Sequence, residues 1–358
     1  MKKLAVVIIL AFSLLSSLIA ATYPLDSHKE IDLSGIKKIR FELESPNGFM
    51  SFSQVKQNYV FSSGSSGNLL LGLEGSVSSS DKSAVADLLS AKRGDTLTIR
   101  IYEKGAFYLF LSQSGTALFT ALIPSEYTGS VEIAVSSGDT KVSCLSSNSL
   151  DVQSSSGNIN GDSIICKEDF KVEASSGNIK IDSAVAANAS ISSSSGNIAI
   201  GELACKNTLS LHVSSGWVTA RNLASDTFSV TASSGNISLD ALVAGKSTIK
   251  DSSGNVTIGN LTGGVNCDVS SGNVLVNVIR IDGTIDIENS SGNITLSLPS
   301  GSAFTANLRT GSGKIQSDFK LAGDVARKDD ESMVGDANGG GTKIQLRASN
   351  GDIQIKEQ

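Results

Sequence analysis

From Ser137 onward the apolar residues keep fixed distances from a recurring glycine, as in EASSGNIKI, which begins at Glu173. The turn glycines are Gly138, Gly157, Gly177, Gly196, Gly216, Gly235, Gly254, Gly272, Gly292 and Gly313, with gaps of 18 to 21 residues. Two places after them stand Ile159, Ile179, Ile198, Val218, Ile237, Val256, Val274, Ile294 and Ile315, and after Gly351, Ile353. Four places after come Ile181, Ile200, Ala220, Leu239, Ile258, Val276 and Leu296, and seven after, Ile164, Ala184, Leu203, Leu223, Leu242, Leu261 and Ile279. Five places before are Val152, Val172, Ile191, Leu211, Val230, Ile249, Cys267 and Ile287. Steps of two on either side of a turn are strand periodicity, so these side chains share one face.

A unit with four or five inward side chains cannot bury them alone, whereas stacked units can. The pattern therefore predicts an all-β chain, a right-handed parallel β-helix with coils of about 19–20 residues, whose equivalent residues form aliphatic ladders about 4.8 Å apart. A left-handed coil runs on hexapeptide steps that the slipping period does not respect, and a propeller blade needs about 40 residues. Glycine suits the tight backbone of each turn. Asn158, Asn178, Asn197, Asn236, Asn255, Asn273 and Asn293, one after each glycine, are expected to stack as a ladder of side-chain amides. Trp217 takes the asparagine place in one coil, either covering the turn or stacking on a sugar or protein partner. Gly351 lies 38 residues beyond Gly313, which reads as two periods with one turn overwritten by the polar stretch from Ala326 to Gly341.

Before the repeat the chain divides differently. Lys2 and Lys3 precede an apolar run and then small residues, so residues 1–21 read as a signal peptide and no later stretch could span a membrane. Residues 22–130 read as a β-rich capping region, residues 131–358 as the helix body, and residues 323–342 as an irregular insertion. One helix is expected near Lys82 to Ala91, with Asp81 as cap, and an ordered loop is its alternative. Phe107, Tyr108, Phe110 and Phe119 are suited to plugging the open end, which would otherwise template aggregation.

Composition adds exclusions more than chemistry. A formal net charge of −6 without a basic block gives no reason to expect nucleic acid. Cys144, Cys166, Cys205 and Cys267 have no metal-site spacing. Cys166 and Cys205 fall two coils apart, too far to bridge, Cys267 falls in an inward column, and a Cys144–Cys166 bond stays open. Only His28 and His212 could add imidazole, and the parity of His212 sends it outward. Asp329, Asp330, Glu331 and Asp336 do not match a calcium loop. Asp182, Glu202, Asp240, Asp268 and Glu288 are outward carboxylates without an exceptional pair. No catalytic, metal or cofactor-binding residue is assigned, and no cofactor is implied.

The V-x-S-S-G-N-I pattern, from VSSGDTKV at Val135 to RASNGDIQI at Arg347, together with ALIPSEYTGSVEI before it, resembles the bacterial DUF4097 family of adhesin-like proteins. The resemblance runs from about Asp95 to the C-terminus. It implies an exported or membrane-attached protein of the periplasm, outer surface or extracellular space, with a β-helical body and no catalytic residues to carry over. The leading expectation is a non-enzymatic cell-envelope or secreted protein presenting polar faces to a protein or glycan. The alternatives are a carbohydrate-active enzyme using surface carboxylates and a purely structural spacer.

Overall fold

A computed structural model describes residues 21–43, 54–79, 86–103, 114–322 and 331–358. Among the described residues the protein is all β, with no helix. Its body is a β-helix-like stack of coils whose strands pair in parallel. Ile159, Ile179, Ile198, Val218, Ile237, Val256, Val274 and Ile294 are successive register partners. Each is at most 1% exposed, so the anticipated column is a continuous dry ladder. Each residue of this size contributes about 1.5–3 kcal/mol on burial, before the cost of ordering the chain. Inward parity changes between the fourth and seventh residues after the glycines from Gly138 to Gly254, as at Ile181 and Ala184, and this places a corner in each of those coils. Bulk is compensated between coils: Ala189 stacks on Phe170 and Ser247 on Phe228, where two rings in register would overfill the interior.

The turn edge explains the recurring glycine of the SSG turns. In every repeat turn the glycine has positive φ, from +102° at Gly138 to +159° at Gly254. The carbonyl of the neighbouring turn glycine also fills the space a side chain would need. A Cβ on Gly235 would stand 1.9 Å from Gly216 O, and one on Gly272 would stand 1.9 Å from Gly254 O. Glycine is thus required by torsion and by contact. One residue on, the amide ladder is present, but its main bond goes to backbone. Asn158 Oδ1 accepts from Asn178 N–H (3.0 Å), Asn178 Oδ1 from Asn197 N–H (2.9 Å), and Asn255 Oδ1 from Asn273 N–H (2.8 Å). Asp139 and Asp352 take the same role at the two ends.

The ends depart from the sequence reading. The last coil in the chain is not the last in space: Ile294 pairs with Ile353, and Ile353 with Ile315. Strands Thr342–Asn350 and Ile353–Glu357 therefore slot between the Gly292 coil and the Phe304–Ser317 coil, correcting the reading of two sequential periods with one turn lost. The other end repeats the device. Strands Lys38–Leu43 and Gln54–Gly64 lie between the later strands Thr96–Glu103 and Ser114–Pro124 on one side and the first repeat coil on the other. Both ends close with antiparallel strands: Ser332–Ala337 on Phe304–Thr310, and at the start Ala86–Arg93 on Thr96–Glu103 and Leu69–Ser79 on Ser114–Pro124.

Three further expectations change. Ala86–Arg93 is a strand hairpinned to Thr96–Glu103 through Gly94, so the part of the predicted helix that is described is extended; residues 82–85 lie outside the described residues. Neither a helix nor an ordered loop forms over Ala86–Arg93, because its backbone is taken up in pairing with Thr96–Glu103. Ser332–Ala337 is likewise strand inside the stretch read as irregular. The repeat places Ile279 inward, but after Gly272 the chain reaches the next inward position one residue sooner, with Ile258 and Leu261 paired to Val276 and Val278. The register shifts there, Val278 is buried in its stead, and Ile279 is 52% exposed. Of the proposed plug, Phe107, Tyr108 and Phe110 lie outside the described residues. Phe119 is buried with Phe41 and Phe61, ring centroids 6.0 and 5.7 Å away.

Two substitutions separate the torsional from the contact requirement. Gly235→Ala should lower stability by roughly 2–5 kcal/mol, since it meets both unfavourable φ and the Gly216 carbonyl. Gly301→Ala, at φ +78° with open space around it, should cost only about 1–2 kcal/mol. Equal shifts in the urea midpoint would show that the glycine contact is not what holds the turn.

Candidate functional site

With the inward columns buried, the side chains open to a partner or substrate are the outward ones, and parallel register sorts these into ladders. One face carries Glu173, Ser192, His212, Thr231, Lys250, Asp268, Glu288 and Arg347 in successive coils. Its charged ends are internally paired. Arg347 contacts Glu288 and lies 3.3 Å from Asp286, while Lys171 lies 3.1 Å from Glu173. At the opening end Glu132 is bound by Lys38 and by Arg40 at 2.7 Å. Partial burial opposes ionisation of Glu132, but the two cations prevail and hold its carboxyl below the usual range. Asp151 has burial as its larger influence, only partly offset by Lys171, so its pKa is raised. His212 is exposed on this face, as its parity required.

The outward carboxylates do not converge. Asp268 and Glu288 are register partners on adjoining coils, but they belong to one ladder that continues into Lys250 and Arg347. A glycosidase pair must flank the scissile bond from two sides, and neighbours on one flat ladder approach a sugar from the same side. Asp182 pairs with Lys180 at 2.9 Å. Glu202 lies beside Asn222 on another face, and Asp240 follows the corner after Leu239. Asp336 accepts a hydrogen bond from Thr305 Oγ1 at 2.7 Å; Asp329 and Asp330 lie outside the described residues.

A second face carries a feature the sequence reading missed. Ile165, Val185, Ala204, Ala224 and Val243 are successive register partners pointing outward. Ile165, Val185 and Val243 are 52%, 50% and 53% exposed. The signal stands eight places after five successive glycines, Gly157 to Gly235, in residues of the same composition as the inward columns. Glu202 and Lys206 flank Ala204 on the same outward side, so the stripe is bordered by both signs of charge. At the turn edge Trp217 is 58% exposed. Its N–H donates to Asn197 Oδ1 at 2.8 Å, but it offers no side-chain acceptor to the next coil, and the amide ladder restarts at Asn236.

All four cysteines are free thiols, so Cys144 and Cys166 do not pair. Cys144 is exposed at a positive-φ position, and the other three are buried. Burial pushes the thiols of Cys166 and Cys205 up to about 11 and that of Cys267 up to about 12.

These features define a coil-stacked all-β protein whose outward ladders are its available surfaces. The chain belongs to the Toastrack DUF4097 family, whose model matches residues 50–207 and again 190–356. The match begins well before Asp95, so the opening coils share in it. Solved structures with similarity include a candidate cell-adhesion protein from Clostridium sporogenes ATCC 15579 (10% identity, 94% of this chain and 100% of that one, TM-score 0.22). Others are a candidate adhesin from Bacteroides fragilis NCTC 9343 (13%, 95% and 97%, TM-score 0.30) and a candidate lipid-binding protein from Parabacteroides distasonis ATCC 8503 (13%, 94% and 97%, TM-score 0.29). At these scores the likenesses carry no functional argument. No curated protein matches the chain.

The thiol environments give a direct check. Alkylation of the folded protein at pH 8 should label one thiol, Cys144, rapidly, and unfolding should raise the count to four. Two protected thiols that appear only after reduction would instead reveal a disulfide.

Proposed function

We propose that this chain is an exported, non-enzymatic, adhesin-like protein of the cell envelope, wound right-handed, which uses its outward faces to hold a protein partner. The observation that carries this reading is the ladder of Ile165, Val185, Ala204, Ala224 and Val243, kept outward over five successive coils. Outward ladders elsewhere on the stack are mainly serine, threonine or charge, with isolated apolar members such as Leu275; a contiguous apolar stripe rimmed by polar groups is the composition of a protein contact. Its flat, aliphatic character favours protein over glycan, which needs a denser set of polar groups. The leader read in residues 1–21 supports export, and the family membership supports the adhesin-like role.

The test is retention of the purified chain on an array of envelope proteins and polysaccharides, with product formation scored in parallel. Binding to a protein should fall at least tenfold in the Val185→Lys/Val243→Lys double variant and persist in Ser210→Lys/Ser229→Lys, with both variants melting like the parent. Retention on polysaccharide alone, unaffected by the stripe, would move the contact to the polar face. Shortened glycan, lost on Asp268→Asn/Glu288→Gln, would make the protein an enzyme.

A further inference from the structure

The residue three places before each turn glycine faces inward, next to the turn, and forms its own column. It runs Val135, Ser154, Ala174, Ser193, Val213, Ala232, Asp251, Val269, Asn289, Ala348 and Thr310 in stack order. Three polar members act alike, each donating to the carbonyl of the turn glycine one coil back. Asn289 Nδ2 donates to Gly272 O at 2.8 Å, Thr310 Oγ1 to Gly351 O at 2.8 Å, and Ser193 Oγ to Gly177 O at 3.4 Å. Ser154 leaves this bond unmade. The glycine carbonyls are the atoms against which the next turn is packed, so these bonds tie adjoining turns together.

Asp251 occupies the same place and is only 3% exposed. It reproduces one half of the asparagine pattern: Asp251 Oδ1 accepts from Ser253 N–H at 3.0 Å, as Asn289 Oδ1 accepts from Ser291 N–H at 3.2 Å. The other half is absent, since Asp251 Oδ2 has no hydrogen-bond partner among the described residues. That oxygen stands where asparagine has its donor. The Cβ position on Gly254 is 2.7 Å from Asp251 Oδ2, and the equivalent position on Gly292 is 3.2 Å from Asn289 Nδ2. An ionised carboxylate would set an acceptor against the Gly235 carbonyl, whereas the neutral acid has an O–H to give.

We propose that Asp251 is a proton-operated tie between the Gly235 and Gly254 turns: as a neutral acid its Oδ2–H donates to Gly235 O, and loss of the proton releases the tie. The surroundings agree. In its own strand Lys250 points to solvent, and the preceding coil contributes only Thr231, Ala232 and Ser233. The following coil contributes Asp268 on the outer face and the buried thiol of Cys267, neither of which supplies a cation. Burial raises the Asp251 pKa, only partly countered by the Ser253 N–H. Because the folded value lies above the unfolded one, the tie is fully present below the unfolded carboxylate range. It is lost as pH rises through the raised folded value.

The experiment compares urea midpoints of the full chain and of Asp251→Asn from pH 4 to 8. Asparagine supplies the donor at every pH, so the variant should be the more stable at pH 8, and its advantage should shrink toward zero by pH 4. A difference between the two proteins that does not change with pH overturns the proposal, and so does a variant less stable throughout. Failure of the variant to fold counts against it equally, because Asn289 holds that geometry two coils on. As a second readout, the carboxylic-acid C=O infrared band of the folded parent should exceed that of the variant at the acid end of the range, and the excess should fade as the pH rises; identical bands at every pH would also overturn it.

Discussion

The close approach of one turn glycine to the next is the constraint on which the rest of the stack depends. With a carbonyl oxygen about 2 Å from where each Cβ would be, the turns can only nest in one phase. A slip of one residue would set a serine or asparagine side chain against that oxygen and would also invert every inward position. The contact is thus a register gauge. It offers little attraction of its own, and the stabilisation comes from the aliphatic columns that it aligns, such as Ile237 on Val218 and Val256 on Ile237. Hydrogen bonds donated by each turn's backbone N–H to the Asn Oδ1 of the preceding coil then satisfy the donor that the tight turn leaves over.

A stack built this way has a problem at its ends, where parallel strands present unpaired backbone. The protein treats both ends alike. A coil that comes earlier or later in sequence is inserted one place inside the terminal coil, and the chain that links them is laid across the end antiparallel. Reversal of strand direction matters because a parallel coil of a second molecule no longer finds its own pattern repeated. The interior is also heavier at the ends: Phe41, Phe61, Phe119 and Tyr59 cluster at one, and Phe304 packs on Phe319 (5.2 Å) at the other. Aromatic rings fill the cross-section where no further aliphatic ladder continues.

This division decides what could be read from residues alone. The columns at Ile179, Ile181 and Ala184 were legible because they repeat ten, seven and seven times, and all members but Ile279 agree on parity. Coil order at the ends was not, since Gly351 stands two periods beyond Gly313 whichever side of it the strand pairs on. Ala86–Arg93 was ambiguous for the same reason: ADLLSAKR suits a helix locally, and only pairing with Thr96–Glu103 makes it extended. The stripe at Ile165 was written in the sequence at a constant offset but was hidden among inward columns of the same composition. The unpaired oxygen of Asp251 depends on which carbonyl lies one coil away, which a sequence does not specify.

Where interior and backbone are both committed to stacking, evolution of such a protein is left with the outward ladders and with rare exceptions to the inward ones. The outward ladders are cheap to change: Glu288 and Arg347, or Lys171 and Glu173, meet in water and add little stability. An aliphatic residue held outward in five coils runs against that freedom, because Ser210 and Ser229 on the polar face show that a hydroxyl serves as well in an outward ladder place. Retaining Val185 and Val243 outward also adds to the hazard of association that the end caps work to reduce. The two facts are compatible if the stripe is there for a partner while the ends are closed against copies of the same chain, and this asymmetry between faces and ends is what a contact protein built from one repeated coil requires.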